Sequence, residues 1–128
     1  MGINVLSMFS NVGIAETYFE KNGFDVVVAN ELLPERAKFY SHLYPKTNMI
    51  CGDITDDAIF ERVKDEAIKN KVNMIIATPP CQGMSVANHK KTEDEIVRNS
   101  LVVESIYLIQ RLYPRFFIFE NVAAFMKT

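Results

Sequence analysis

Short apolar runs rich in β-branched residues alternate with longer stretches of helical period along this chain, which is the pattern of βαβ units on a parallel sheet. Five strands are predicted, at Ile3 to Met8, Phe24 to Ala29, Thr47 to Cys51, Val72 to Ala77 and Arg115 to Phe119. Candidate helices fill the gaps at about Ile14 to Asn22, Pro34 to Leu43, Asp56 to Lys69 and Ile96 to Leu112. Pro34 suits a first helical turn, where its missing N–H costs nothing, and Thr55 reads as an N-cap followed by acidic residues that favour the helix dipole. The runs Met-Ile-Ile-Ala and Phe-Phe-Ile-Phe are continuous rather than alternating, as in strands covered on both faces. The expected fold is α/β, a doubly wound parallel sheet in a single domain over residues 1–128.

Composition changes this picture little. With 48% hydrophobic and 23% charged residues in 128, the chain is neither disordered nor fibrous. Its two cysteines, Cys51 and Cys81, lie outside any CxxC or His cluster, so neither a disulfide framework nor a metal site is expected. No apolar run approaches the roughly 18 residues of a membrane span, and the start lacks the basic flank and cleavage site of a secretory signal. The expectation is a cytoplasmic chain without a membrane partner. A net charge of -2 advertises no basic face for nucleic acid.

In doubly wound sheets, ligands sit beyond the carboxyl ends of the strands, and five such ends carry candidate chemistry. The first runs into Phe-Ser-Asn-Val-Gly-Ile, a tight turn with Gly13 and with Asn11 in a second glycine-like slot, since Asn tolerates positive φ. It resembles a cofactor loop, and an ordinary strand-to-helix turn is equally open. The second ends at Glu31, 18 residues after Gly13, where a carboxylate can accept from both ribose hydroxyls of a nucleoside or simply face water. The third ends Gly-Asp-Ile, so that Asp53 could accept from an adenine amino group with Ile54 packed on the ring; Gly-Asp is also a common turn.

The fourth end, Thr-Pro-Pro-Cys-Gln-Gly-Met-Ser, is the most informative. Pro79 and Pro80 stiffen the backbone ahead of Cys81, which holds the sulfur at a strand tip as a candidate nucleophile instead of a buried small hydrophobe. The fifth ends Phe-Glu-Asn-Val, and Glu120 at that tip is a candidate acid, partly desolvated by the apolar residues before it.

Pro-Pro-Cys-Gln-Gly and Glu-Asn-Val in this order, about 40 residues apart and preceded by a Phe-x-x-x-Gly loop, resemble the DNA cytosine-C5 methyltransferase family along essentially the whole chain. The resemblance implies a Rossmann-like sheet that binds S-adenosylmethionine and releases S-adenosylhomocysteine. Phe9, Asn11, Gly13 and Ile14 then match the cofactor loop, Glu31 the ribose acid, Asp53 and Ile54 the adenine contacts, and Pro79 and Leu101 further cofactor contacts. Where the family has an aromatic residue this chain has Leu32, so that aliphatic packing replaces stacking. Cys81 matches the nucleophile, Glu120 the acid facing the cytosine, and Gln82 and Ser85 belong to the loop expected to close over a base flipped out of duplex DNA. The implied setting is restriction-modification in a cytoplasmic, nucleoid-associated enzyme.

The family continues after Glu-Asn-Val with an arginine motif, a target-recognition region and a final helix. None of these follows within the eight residues after Glu120. The sheet is therefore expected to be truncated after its fifth strand with an apolar edge exposed, and the chain to be a split subunit with a complementary partner or a truncated product, inactive alone. An RNA (tRNA) cytosine-C5 methyltransferase and a non-catalytic cofactor-binding module are the alternatives. A nicotinamide oxidoreductase fits less well, because the loop lacks two of the expected glycines.

Overall fold

A computed structural model describes residues 2–14, 16–79 and 93–120, with the side chains of 93–100 left out. Its elements are β1 (Ile3–Met8), a 3-10 turn at Glu20–Asn22, β2 (Phe24–Glu31), α1 (Pro34–Leu43), β3 (Asn48–Cys51), α2 (Asp57–Lys69), β4 (Met74–Ala77), α3 (Glu93–Leu112) and β5 (Phe116–Phe119). All strand pairings are parallel, in the order β3-β2-β1-β4-β5. This is the doubly wound α/β sheet expected, and its order reverses between β1 and β4, which makes their carboxyl ends the crevice to inspect.

Two layers bury the sheet. Leu6, Met8, Val28, Ile50 and Ile75 on one face join Phe60, Val63 and Ala67 of α2 and Leu108 of α3, each large side chain contributing about 1.5–3 kcal/mol on leaving water. Val5, Met74 and Ile76 on the other face pack with Phe19, Phe24 and Val26. A polar clamp ties the strand starts together: Asn4 N–H donates to Asn73 Oδ1 (2.9 Å), and the Asn4 side-chain amide donates to Asn70 O (3.1 Å) and Lys71 O (3.3 Å).

Two expectations are corrected. No helix forms from Ile14 to Asn22; the N–H groups of Gly13, Glu16, Thr17, Phe19, Asn22 and Gly23 each bond to the carbonyl three residues back, so the segment is a series of tight turns of the 3-10 kind. The N-cap of α2 is Asp56, whose carboxylate accepts from Ala58 N–H. Thr55 instead donates its N–H and its hydroxyl to Asp53 Oδ1 (2.9 and 2.7 Å), which removes it from the cap.

At the sheet's edge, Phe116, Phe117 and Ile118 of β5 are half exposed on both faces. An edge strand of this composition invites pairing with another copy. In light scattering, the chain by itself is expected above monomer mass at micromolar concentration, and Phe117→Lys is expected to lower that mass toward the monomer. A monodisperse wild-type monomer contradicts the expectation. Among the described residues, no helix is long and apolar enough to cross a membrane.

Candidate functional site

The end of β1 folds back through three residues at positive φ, Phe9 (57°), Asn11 (54°) and Gly13 (83°). Such a path strains most L-residues, so it must be held from outside. Ser10 N–H donates to Asn30 O (3.1 Å), and Asn11 N–H donates to Glu31 Oε1 (3.0 Å). Thr78 Oγ1 donates to Phe9 O (3.4 Å) and Tyr44 Oη to Gly13 O (2.6 Å). Four bonds from three places, β2, the end of α1 and the residue after β4, thus brace one loop.

Glu31 is the centre of this bracing. It is buried at the last position of β2, and while Oε1 accepts from Asn11, Oε2 accepts from Leu33 N–H (2.7 Å). Its own carbonyl accepts Gly52 N–H (3.0 Å) from the end of β3. Neighbouring Asn30 donates its buried amide to Ile50 O (2.8 Å) and Gly52 O (3.1 Å). The tips of β1, β2 and β3 are therefore fixed to one another by polar bonds, and such bonds are strong when one partner is ionised and water is excluded.

Between these tips and α3 lies a cavity of about 410 Å³. Phe9, Asn11, Glu31, Leu32, Asp53, Ile54 and Leu101 line it, together with Asn30, Leu33, Arg36, Gly52 and Thr78. Of the residues singled out in the sequence, seven thus meet in one cavity. Gly13 does not line it; its part is to let the loop turn. Ile14 is 79% exposed and borders a smaller adjoining cavity. Pro79 is buried and is absent from the residues lining either cavity.

Sequence reasoning missed Asn30, Arg36 and Thr78. A polar Asn closing the otherwise apolar run Val-Val-Val-Ala was the available signal for the first; Arg36 carried none, being one of several charges on α1. It also missed Glu16, buried to 3% exposure. Burial pushes the Glu16 carboxyl up, and the Tyr40 and Ser7 hydroxyls beside it act in the opposite direction.

At the other half of the sheet, Glu120 N–H donates to Ala77 O (3.0 Å), so the tips of β4 and β5 are neighbours and Glu120 follows directly. Its side chain is exposed; Phe116, Phe117 and Ile118 before it are half exposed themselves, and Phe119 packs against the core. Cys81, Gln82 and Ser85 lie outside the described residues. Among the described residues there is no group of three or more His, Cys, Asp or Glu side chains able to hold a metal ion.

Comparison with known proteins agrees with this architecture. The model of the family described as C-5 cytosine-specific DNA methylase matches residues 3–128. The Type II methyltransferase M1.HgaI of Avibacterium volantium is 42% identical over 125 residues, covering 95% of this chain and 35% of that protein. M.NgoPII of Neisseria gonorrhoeae, also a Type II methyltransferase, is 32% identical with coverage of 97% and 34%. An E. coli prophage protein whose crystal structure is described as that of a DNA modification methyltransferase superposes with a TM-score of 0.75 at 29% identity, over 98% of this chain and 33% of its own. The fold alone is shared with DNMT2 of Spodoptera frugiperda (TM-score 0.68, 21% identity, 99% and 38% coverage). The chain spans about a third of the length of these relatives. With a family model matched across nearly its whole length and the same sheet beneath it, the chain belongs to the C-5 cytosine-specific DNA methylases.

Proposed function

We propose that this chain is the cofactor-binding and nucleophile-bearing part of a restriction-modification methyltransferase that methylates C5 of cytosine in DNA, acting together with a complementary polypeptide segment that supplies target recognition. The observation carrying this reading is the cavity at the tips of β1 to β3, which joins two carboxylates, Glu31 and Asp53, to apolar Leu32, Ile54 and Leu101. A nucleoside fits that donor set. Asp53 Oδ1 is occupied by Thr55, leaving Oδ2 for an exocyclic amine. The Glu31 carboxylate accepts one backbone N–H on each oxygen, and each oxygen keeps a second lone pair for a ribose hydroxyl. Aliphatic side chains cover the base. When bound here, S-adenosylmethionine supplies an electrophilic methyl group on a sulfonium.

Cys81 and Glu120 perform the remaining chemistry in this proposal. Glu120 holds a proton at N3 of the cytosine while the Cys81 thiolate attacks C6, which makes C5 electron-rich. After methyl transfer, loss of the C5 proton and expulsion of the thiolate restore the ring. The closeness of the β4 and β5 tips supports such a pairing, since Cys81 follows the last residue of β4 by four positions in the sequence and Glu120 directly follows β5. C6 is inaccessible within a duplex, so the base must leave the stack, with Gln82 and Ser85 in the loop that closes on it. Its setting is the cytoplasm, at the nucleoid.

Transfer of labelled methyl groups to duplex DNA by this chain combined with polypeptides carrying a target-recognition region tests the proposal. Incorporation is expected with the wild type, and a loss of about 10⁴-fold or more with Cys81→Ala, because a chemical group acting only in the transition state is removed. Labelling of transfer RNA and not DNA would overturn the substrate assignment. Undiminished labelling by Cys81→Ala would overturn the nucleophile.

A further inference from the structure

Thr55 stands one residue before the α2 cap and directs both of its donors back into the turn that precedes it. Its N–H (2.9 Å) and its hydroxyl (2.7 Å) reach the same oxygen, Oδ1 of Asp53, while Asp56 N–H closes the turn on Asp53 O (3.0 Å). Asp53 and Ile54 line the nucleoside cavity and Thr55 does not, so whatever Thr55 does for a ligand it does through Asp53.

Among the described residues, no other hydrogen bond and no ion pair reaches the Asp53 carboxylate. Its charged surroundings would turn it rather than hold it. The Glu104 carboxyl on α3 is pushed up by burial first and then by Asp57, with Asp53 adding to this against the pull of Arg111; Asp53 thus has like charge for a neighbour. The terminal torsion of an aspartate is soft, and a carboxylate free to rotate follows whichever donor arrives. With Oδ1 accepting two donors at once, Oδ2 is left as the acceptor presented to the cavity, in one orientation.

We infer that Thr55 is a positioning residue that makes the cavity selective for a 6-amino purine over a 6-oxo purine. The inference rests on the nucleoside reading of the cavity and deepens it. Adenine brings an amino donor to Oδ2. Hypoxanthine brings an oxygen to the same place, acceptor against acceptor, and carries its donor one ring position away at N1. An Asp53 able to swing would follow that donor and accept both rings. The Thr55 hydroxyl denies it this freedom through a short bond to an ionised group, which is of the stronger kind, and the 6-oxo ring is then rejected because a shielded acceptor is left unanswered.

The test compares S-adenosylhomocysteine with S-inosylhomocysteine, in which a 6-oxo group replaces the 6-amino group, by calorimetric titration of the full chain. Wild type is expected to favour S-adenosylhomocysteine by at least about tenfold. Thr55→Val, which removes the hydroxyl and keeps the N–H, should bring the two ligands within about twofold of each other, and Thr55→Ser should restore most of the preference. Should the Val variant fail to fold, Thr55→Ala makes the same deletion without the branched side chain. A residue that only shaped the turn before α2 would weaken both ligands alike, so an unchanged ratio in a folded Val or Ala variant would overturn the role of Thr55. Asp53→Asn, whose amide can donate to a 6-oxo group, should erase or reverse the preference in either case. An undiminished preference in that variant, or no binding of either ligand by wild type, would instead overturn the nucleoside reading, and this inference with it.

Discussion

Glu31→Ala is expected to lower the unfolding free energy by about 2–4 kcal/mol and to abolish binding of S-adenosylhomocysteine, a double loss that a residue serving the ligand alone would not produce. The reason is that the Glu31 carboxylate is part of the framework. It accepts Asn11 N–H on one oxygen and Leu33 N–H on the other, and its removal leaves two shielded donors unanswered at about 1–3 kcal/mol each. Glu31→Gln should fall between, since an amide offers one acceptor and turns its NH₂ toward the second donor. Urea unfolding measures the effect; an unchanged m-value with a lower midpoint would attribute it to the folded state. A stability within about 0.5 kcal/mol of wild type, with binding lost, would reduce Glu31 to a ligand contact.

Gly13→Ala is expected to cost a similar amount, about 3 kcal/mol. A Cβ at this position would lie 2.4 Å from Tyr44 Cε2 and 2.8 Å from Tyr40 Cε2, and the backbone φ of 83° is itself unfavourable to a side chain. Overpacking costs about 1–3 kcal/mol and the left-handed conformation about 1–2 kcal/mol. Tyr44 cannot swing aside freely, because its hydroxyl donates to Gly13 O (2.6 Å). Thermal unfolding followed by circular dichroism checks this. A loss below about 1 kcal/mol would mean that the Tyr44 ring gives way, and Tyr44→Phe would then resemble wild type.

The sheet was legible in the sequence because its strands are continuous apolar runs bounded by turn residues, and the match extends to Glu31 as the tip of β2. What escaped was decided by long-range contacts. From Ile14 to Asn22 the spacing of Ile14, Tyr18 and Phe19 reads as helical, yet Ile14 and Tyr18 are exposed while Glu16 is buried. The Tyr40 and Tyr44 rings fill the space next to Gly13, and nothing local announces them. Helical periodicity would have put Glu16 in water, so its burial could not be foreseen. The role of Glu31 was legible in position and not in kind: a carboxylate at that tip was expected to wait for a ribose, and it is already engaged by the backbone of the loop it faces.

The central placement of β1 has a kinetic side. Its pairing with β2 joins Ile3 to Phe24, whereas its pairing with β4 joins Val5 to Met74. Closing the longer loop costs about 1 kcal/mol more in chain entropy, at about 0.6 kcal/mol per doubling of length. The order in which the ribosome releases the chain acts in the same direction, since β1, β2 and β3 are complete before the β4 segment emerges. The tips of β1 to β3 are thus joined before those of β4 and β5, Thr78 and Leu101 complete the cavity between them afterwards, and the asparagine clamp around Asn4 and Asn73 joins the two halves at that late step.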